Sequence, residues 1–356
     1  MALKLKKRKD TEELVKEAEE NVGESLIDDI SYKPFEGNME LVVSTGSTLL
    51  DLAISGNRIR GGGIPAGILV EVYGPSMSGK TGIIAEVCGS AQKRGGEVNF
   101  KDPEGRLDQE YTKIYGVNIE KDFFEYSRPD TVTELISSMQ KWKPANQDVI
   151  NVFASDSIAA LSTDMEMEEE DKRGQRRAKE FSEGLRKVCR MIRKNNWVVL
   201  FSNQVRQGEG HSYVTPGGFA VPFYASLRIQ IGPDPSGGKV KRKIKLASGK
   251  EVEGVVGINS LCKITKSSVD IPFREAPISI IFNYGIDDIR QNLQYRKDML
   301  CESKYDAITK QVNSLQAAIQ HVEENDLEKE LRNKTINLWE EIQQQLKINR
   351  KMKGRI

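Results

Sequence analysis

Gly74-Pro-Ser-Met-Ser-Gly79-Lys80-Thr81 stands between an apolar run at 68–73 and a helical stretch at 81–93. These eight residues satisfy GxxxxGK[ST] in full, and a strand before and a helix after are the context that pattern requires. Gly79 lets the backbone curl until successive N–H groups face one point. The helix that follows aims its positive dipole end at the same point, so the segment suits a polyphosphate. Gly74, Pro75, Ser76, Met77, Ser78, Gly79, Lys80 and Thr81 are therefore the candidate cradle. Lys80 is placed to reach the β- and γ-phosphates and the Thr81 hydroxyl to ligate magnesium, so ATP and Mg2+ are the expected cofactors.

Outward from this loop, short runs rich in Val and Ile alternate with amphipathic stretches. Residues 68–73, 97–100, 149–153, 198–201 and 227–231 read as buried strands, and 81–93, 132–141 and 179–194 as helices between them. That alternation predicts an α/β fold with a mostly parallel central sheet covered on both faces. Ser248-Gly249, between Lys243-Ile-Lys-Leu246 and Val252-Glu-Gly-Val255, predicts a hairpin, so the late sheet turns antiparallel.

In such a sheet the C-terminal strand ends share one edge, where ligand binds. Asp156 follows an apolar strand and is the candidate second magnesium ligand; Asp also ends strands simply as a turn residue. Glu104, in Asp102-Pro-Glu104, is either a general base that orients water or part of a solvated acidic loop.

Together and in order, several stretches resemble the bacterial and phage RecA family of DNA recombinases over about residues 40–290. They are Val43-Ser-Thr-Gly46-Ser-Thr-Leu-Leu-Asp51, Ile64-Pro-Ala-Gly67, Val70-Glu-Val-Tyr-Gly74-Pro75, Asp102-Pro-Glu104 and Leu107-Asp108-Gln-Glu-Tyr111. Further along come Ser155-Asp156-Ser157, Phe201-Ser-Asn203-Gln204-Val-Arg206, Thr215-Pro-Gly217-Gly218 and Phe223-Tyr224-Ala-Ser226-Leu-Arg228. The resemblance implies a RecA-like P-loop ATPase core in which Glu104, Lys80 and Gln204 are catalytic. Glu104 would orient the attacking water, and Gln204 would sense the γ-phosphate. Asp108 and Tyr111 would contact base and ribose, and Lys266 would reach a neighbouring subunit's ATP. Residues 166–177 and 207–218 would form two DNA loops, with Lys172, Arg173, Arg176, Arg177, Arg206, Gly217 and Gly218 on DNA. Basic residues there suit phosphate contact, glycines suit a loop that orders on its partner, and Tyr213 or Phe219 suits stacking on bases. By residue type alone, 172–177 reads first as the exposed start of a helix, and the resemblance turns it toward DNA contact. The chain departs from the family at Phe219, Pro222 and Ser268, the last standing where a second interface lysine is usual, and it reads as a divergent member.

Bulk composition neither announces nor forbids this. The 356 residues carry 53 basic and 52 acidic side chains, so any nucleic-acid surface must be local. Cys88, Cys189, Cys262 and Cys301 lie far apart, which argues against zinc or a disulfide framework and fits a reducing cytoplasm. No apolar run of membrane-spanning length occurs, so no membrane partner is expected. Residues 1–38 read as a charged helix and linker, either a frayed tail or an arm that packs on a neighbouring subunit. Residues 39–291 read as the core and 292–356 as a helical extension with stripes Leu315, Ala318, Ile319, Val322 and Leu338, Ile342, Leu346. The reading in full is an ATP-hydrolysing recombinase that forms a homo-oligomeric filament on single-stranded DNA and exchanges it with homologous double-stranded DNA. The rivals are a non-recombining ATPase of the same fold and an ATP-binding filament partner without turnover.

Overall fold

The computed structural model describes residues 38–163, 173–207, 213–215, 218–348 and 350. The described chain opens with an antiparallel ribbon, β1 (Asn38–Val43) and β2 (Ile64–Ala66), with helix Thr48–Ser55 between them. It then supplies β3 (Ile68–Gly74), β4 (Val98–Lys101), β5 (Phe124–Ser127), β6 (Asn151–Ser155) and β7 (Trp197–Gln204). A small ribbon of β8 (Arg206–Gln207) and β9 (Tyr213–Val214) comes next. After it run β10 (Leu227–Pro233), β11 (Lys239–Lys245), β12 (Glu251–Ser267), β13 (Glu275–Ile281) and β14 (Gly285–Ile286).

The sheet order is β14-β13-β12-β10-β3-β7-β6-β4-β5, with β11 paired to the outer half of β12. The six strands from β10 to β5 are parallel, and the β12 to β14 side is antiparallel. β3 is buried at every residue because it has a strand on both sides and helices over both faces. One face packs Leu50, Ile54, Ile83, Ile84 and Val87 against the sheet. The other packs Leu135, Met139, Phe181, Leu185 and Val188.

Helix Val132–Lys141 has the expected bounds, and helix Arg173–Lys194 begins six residues earlier than expected. β6 begins two residues later, so that Asn151 can accept the Glu97 N–H at 2.8 Å and Ser155 ends the strand. β5 was not anticipated: it is four residues long and only Phe124 is buried, too little pattern to show. The expected hairpin forms, with Gly249 at φ +82 and its N–H on the Leu246 carbonyl at 2.8 Å.

Helix Asp288–Met299 runs across position 292 and leads to a ribbon, β15 (Tyr305–Asp306) and β16 (Gln311–Val312), then helices Leu315–Glu324 and Glu328–Gln345. Ala318, Ile319 and Val322 are buried as their spacing implies. Of the second stripe, Leu338 and Ile342 are only half-buried. The last helix buries Leu331, Thr335, Ile336 and Trp339, while Leu346 is 67% exposed. Trp339 wins because Gly56 leaves room for its ring: a Cβ there would lie 2.7 Å from it. Arg274 covers the ring at 5.1 Å, and Arg332 approaches Asp51 at 3.7 Å.

Candidate nucleotide site and nucleic-acid loops

The phosphate loop leaves the sheet at Gly74, directly opposite Gln204 in the β3–β7 register. Ser155 is followed by Asp156, and Lys101 by the loop carrying Glu104, so all three elements meet at the same C-terminal edge. Gly79, at φ +99, begins helix Lys80–Gln92 with no side-chain cap. The first N–H groups of that helix are therefore left to an anion. Helices Thr48–Ser55, Val132–Lys141 and Leu315–Glu324 are instead capped by Ser47, Thr131 and Ser314.

A cavity of about 220 Å³ is lined by Ser76, Lys80, Thr81, Glu104, Asp156 and Gln204. Lys80 Nζ donates to the Gly74 and Pro75 carbonyls at 3.1 and 2.8 Å. Burial lowers the Lys80 pKa, while the Asp156 and Glu104 charges oppose that shift. The Thr81 hydroxyl donates to Asp156 Oδ2 at 2.6 Å, and the Ser202 hydroxyl donates to Oδ1. Gln204 Nε2 donates to Glu104 Oε1 at 3.2 Å, and Arg106 pairs with Oε2 at 2.8 Å. Asp102 shapes this loop: its Oδ2 accepts from Leu107 N at 2.8 Å and from the Tyr126 hydroxyl at 3.0 Å.

On the other side of the phosphate loop, a cavity of about 240 Å³ is lined by Ser78, Gly79, Tyr111, Tyr115, Ile280 and Phe282 among others. Its apolar and aromatic walls suit a planar base. Tyr111 and Tyr115 share a hydroxyl–hydroxyl bond of 2.9 Å, with ring centroids 5.0 Å apart. Burial raises both phenol pKa values. Asp108 is exposed and caps helix Gln109–Ile114, accepting from the Glu110 N–H at 2.9 Å.

The structure does not bring Lys266 into either cavity. Its Nζ donates to the Pro222 and Phe223 carbonyls at 2.9 and 2.8 Å, on the short helix Ala220–Tyr224. Of the nucleic-acid candidates, Lys172 and Gly217 lie outside the described residues, as does most of 166–177 and 207–218. The backbones of Arg173, Arg176 and Arg177 form the first turns of helix Arg173–Lys194. Arg177 is half-buried and donates to the Ala159 carbonyl at 3.2 Å. Arg206 lies on β8, opposite Val214. Gly218 has φ +65, and a Cβ there would lie 2.9 Å from the Ala178 methyl, so the exit of the second loop abuts this helix. Phe219 and Phe223 are 89% and 73% exposed beside it.

Sequence reasoning missed Ser202, Arg106 and a buried ion pair of Glu71 with Arg228 at 2.6 Å. The last had a signal: Glu71 interrupts an otherwise uncharged buried strand, and a buried carboxylate needs a partner. Among the described residues, no helix is long and apolar enough to cross a membrane.

The RecA N-terminal domain family model matches residues 9–287. Protein RecA of Thermus thermophilus is 35% identical over 289 residues, which is 80% of this chain and 78% of its own. Protein RecA of Wolinella succinogenes is 33% identical over 302 residues, 83% and 80% of the two chains. Protein RecA of Clostridium perfringens is 37% identical over 250 residues, 68% and 65% of the two chains.

Proposed function

Because this chain belongs to the RecA family, we propose that it is an ATP-dependent recombinase that coats single-stranded DNA and exchanges it with homologous duplex. The observation that carries this reading is the 3.2 Å bond from Gln204 to Glu104, facing Lys80 across one cavity. It joins a water-orienting carboxylate to the strand that runs straight into the second loop.

The residues present fit the cofactors. The uncapped helix start and Lys80 suit phosphate, and the hydroxyl and carboxylate oxygens of Thr81 and Asp156 suit magnesium. When bound, magnesium would neutralise phosphate charge. Ser202 fixes the Asp156 carboxylate from the far side, so Asp156 presents Oδ2 toward Thr81. Glu104 aligns water and takes its proton. Gln204, a neutral amide, bonds either Glu104 or a terminal phosphate oxygen, and the exchange shifts β7 and the loop after it. Tyr111 and Tyr115 form one wall for the base.

Lys172, Arg173, Arg176 and Arg206 meet DNA phosphates, with Gly217 and Gly218 allowing close backbone approach. Arg177, tied to Ala159, holds the helix whose first turns carry Arg173 and Arg176. Lys266 acts on the ATP of an adjacent subunit, which makes the filament the active form. Residues 1–38 supply the arm that links subunits, 39–291 the core, and 292–356 a helical extension whose helix Glu328–Gln345 packs on helix Thr48–Ser55.

ATP hydrolysis measured with and without single-stranded DNA, followed by a D-loop assay, tests the reading. Stimulation with homologous pairing supports it. Stimulation without pairing points to a non-recombining ATPase, and ATP binding without turnover to a filament partner.

A further inference from the structure

We infer that Glu71, Asn203 and Arg228 are positioning residues that couple Gln204 to Lys266, an inference that rests on the function proposed above. Glu71 lies at the centre of β3, fully buried, with both carboxylate oxygens engaged. Oε1 accepts from Asn203 Nδ2 at 3.0 Å, and Oε2 accepts from Arg228 Nε at 2.6 Å. Asn203 is the residue before Gln204. Arg228 lies opposite Glu71 in the β3–β10 register and opposite Lys266 in the β10–β12 register. One residue thus spans the strands between the phosphate site and Lys266.

The same chain of contacts continues past Arg228. The Arg228 guanidinium sits 4.4 Å from the centroid of the Tyr73 ring. The Tyr73 hydroxyl donates to Thr265 Oγ1 at 2.9 Å, and the Thr265 hydroxyl reaches the Arg228 carbonyl at 3.3 Å. Tyr73 is the last residue before the phosphate loop, and Thr265 the last before Lys266. Lys266 in turn holds the carbonyls of helix Ala220–Tyr224, which follows the second loop.

The physical chemistry favours coupling over mere support. Apolar residues of similar volume would hold three adjacent strands at least as well as a buried ion pair does. What the pair adds is fixed geometry. Breaking the ion pair strands a charge, and breaking the amide contact leaves a buried carboxylate oxygen without its donor, so a displacement of Asn203 is carried to Arg228 rather than absorbed. When Gln204 changes partner, Asn203 moves with it, and the movement reaches Lys266 through Arg228. The state of one subunit's site then sets the lysine offered to the next subunit.

Two substitutions in the full chain test this. Glu71→Gln keeps the shape and the acceptor for Asn203 but loosens Arg228. Tyr73→Phe keeps the ring under Arg228 and removes only the link to Thr265. The readouts are the melting shift produced by ATP, turnover without DNA, and the fold-stimulation of turnover by single-stranded DNA. The first two should match the unaltered chain. Stimulation should fall about tenfold in Glu71→Gln and about threefold in Tyr73→Phe. The double variant should be little worse than Glu71→Gln, because both changes cut one chain of contacts. Glu71→Gln melts lower in either case because it strands Arg228; a structural role alone would lower turnover with and without DNA in the same proportion, and that result overturns the coupling. So does full stimulation in either folded variant; should Glu71→Gln not fold, Tyr73→Phe decides. Stimulation that survives both changes removes the coupling alone, whereas an unaltered chain that DNA does not stimulate removes the proposed function and the coupling with it.

Discussion

Replacing Glu104 by Gln exchanges one carboxylate oxygen for an NH2 group and separates hydrolysis from binding. The carboxylate is held at both oxygens, by Gln204 at 3.2 Å and by Arg106 at 2.8 Å, and its side chain is only 16% exposed. The amide retains the shape but has no basicity, and it accepts through one oxygen only. Losing a positioned base costs about 10²- to 10⁴-fold in turnover, or about 3–5 kcal/mol of barrier. The competing effects are smaller. The Arg106 side chain is 79% exposed, so that ion pair contributes at most ~1 kcal/mol to folding. Losing the Glu104 charge leaves the Lys80 ammonium less supported against its burial. Lys80 nevertheless keeps both loop carbonyls and the field of Asp156. Affinity for ATP should therefore move by no more than about threefold. Single-turnover phosphate release and equilibrium binding of a fluorescent ATP analogue measure the two quantities separately. Turnover within threefold of the unaltered chain would refute the assigned role. So would a loss of hydrolysis matched by an equal loss of affinity, since that would make Glu104 a binding residue.

Lys80→Ala should abolish the dependence of DNA binding on ATP, read as equal anisotropy of a labelled oligonucleotide in nucleotide-free and ATP-saturated buffer. Trp339→Ala should lower stability by about 3 kcal/mol, the usual cost of emptying a large buried site; a urea midpoint unchanged by this substitution would detach the last helix from the core. Burial pushes the Glu86 carboxyl up to about 7, with Asp288 and Asp51 adding to the shift and the Ile286 N–H and Lys93 opposing it. The folded chain therefore holds a proton that the unfolded chain has released between about pH 4.5 and 7, and stability falls as pH rises through that window. Glu86→Gln removes that loss, so its advantage over the unaltered chain should grow between pH 5 and pH 8, by at most ~3 kcal/mol. A gap in urea midpoint that stays constant over that range counts against it.

The elements legible in the sequence are those whose chemistry is local. A glycine-rich turn between an apolar run and a helix can be read in one window, and so can the hairpin at Ser248-Gly249. Legibility fails where the signal is short or shared. β5 shows one buried residue in four, which no periodicity can reveal. The last helix offers two overlapping apolar stripes. The choice between them depends on Gly56, almost three hundred positions away, which makes room for Trp339 and not for Leu346.

The site divides along the same line. Lys80, Thr81 and Asp156 follow from motif and strand end, because strand ends of a parallel sheet converge whatever the loops do. Glu71 could be flagged as a buried acid in need of a cation, but the chain holds 53 basic residues to choose from. Only the register of β10 beside β3 selects Arg228, and the same register sets Lys266 one strand further on. Pairing across a sheet is a long-range property, fixed by which hydrophobic faces must share a core. Residues that carry coupling between sites are for this reason the last to be seen in a sequence, since their meaning lies in what stands opposite them.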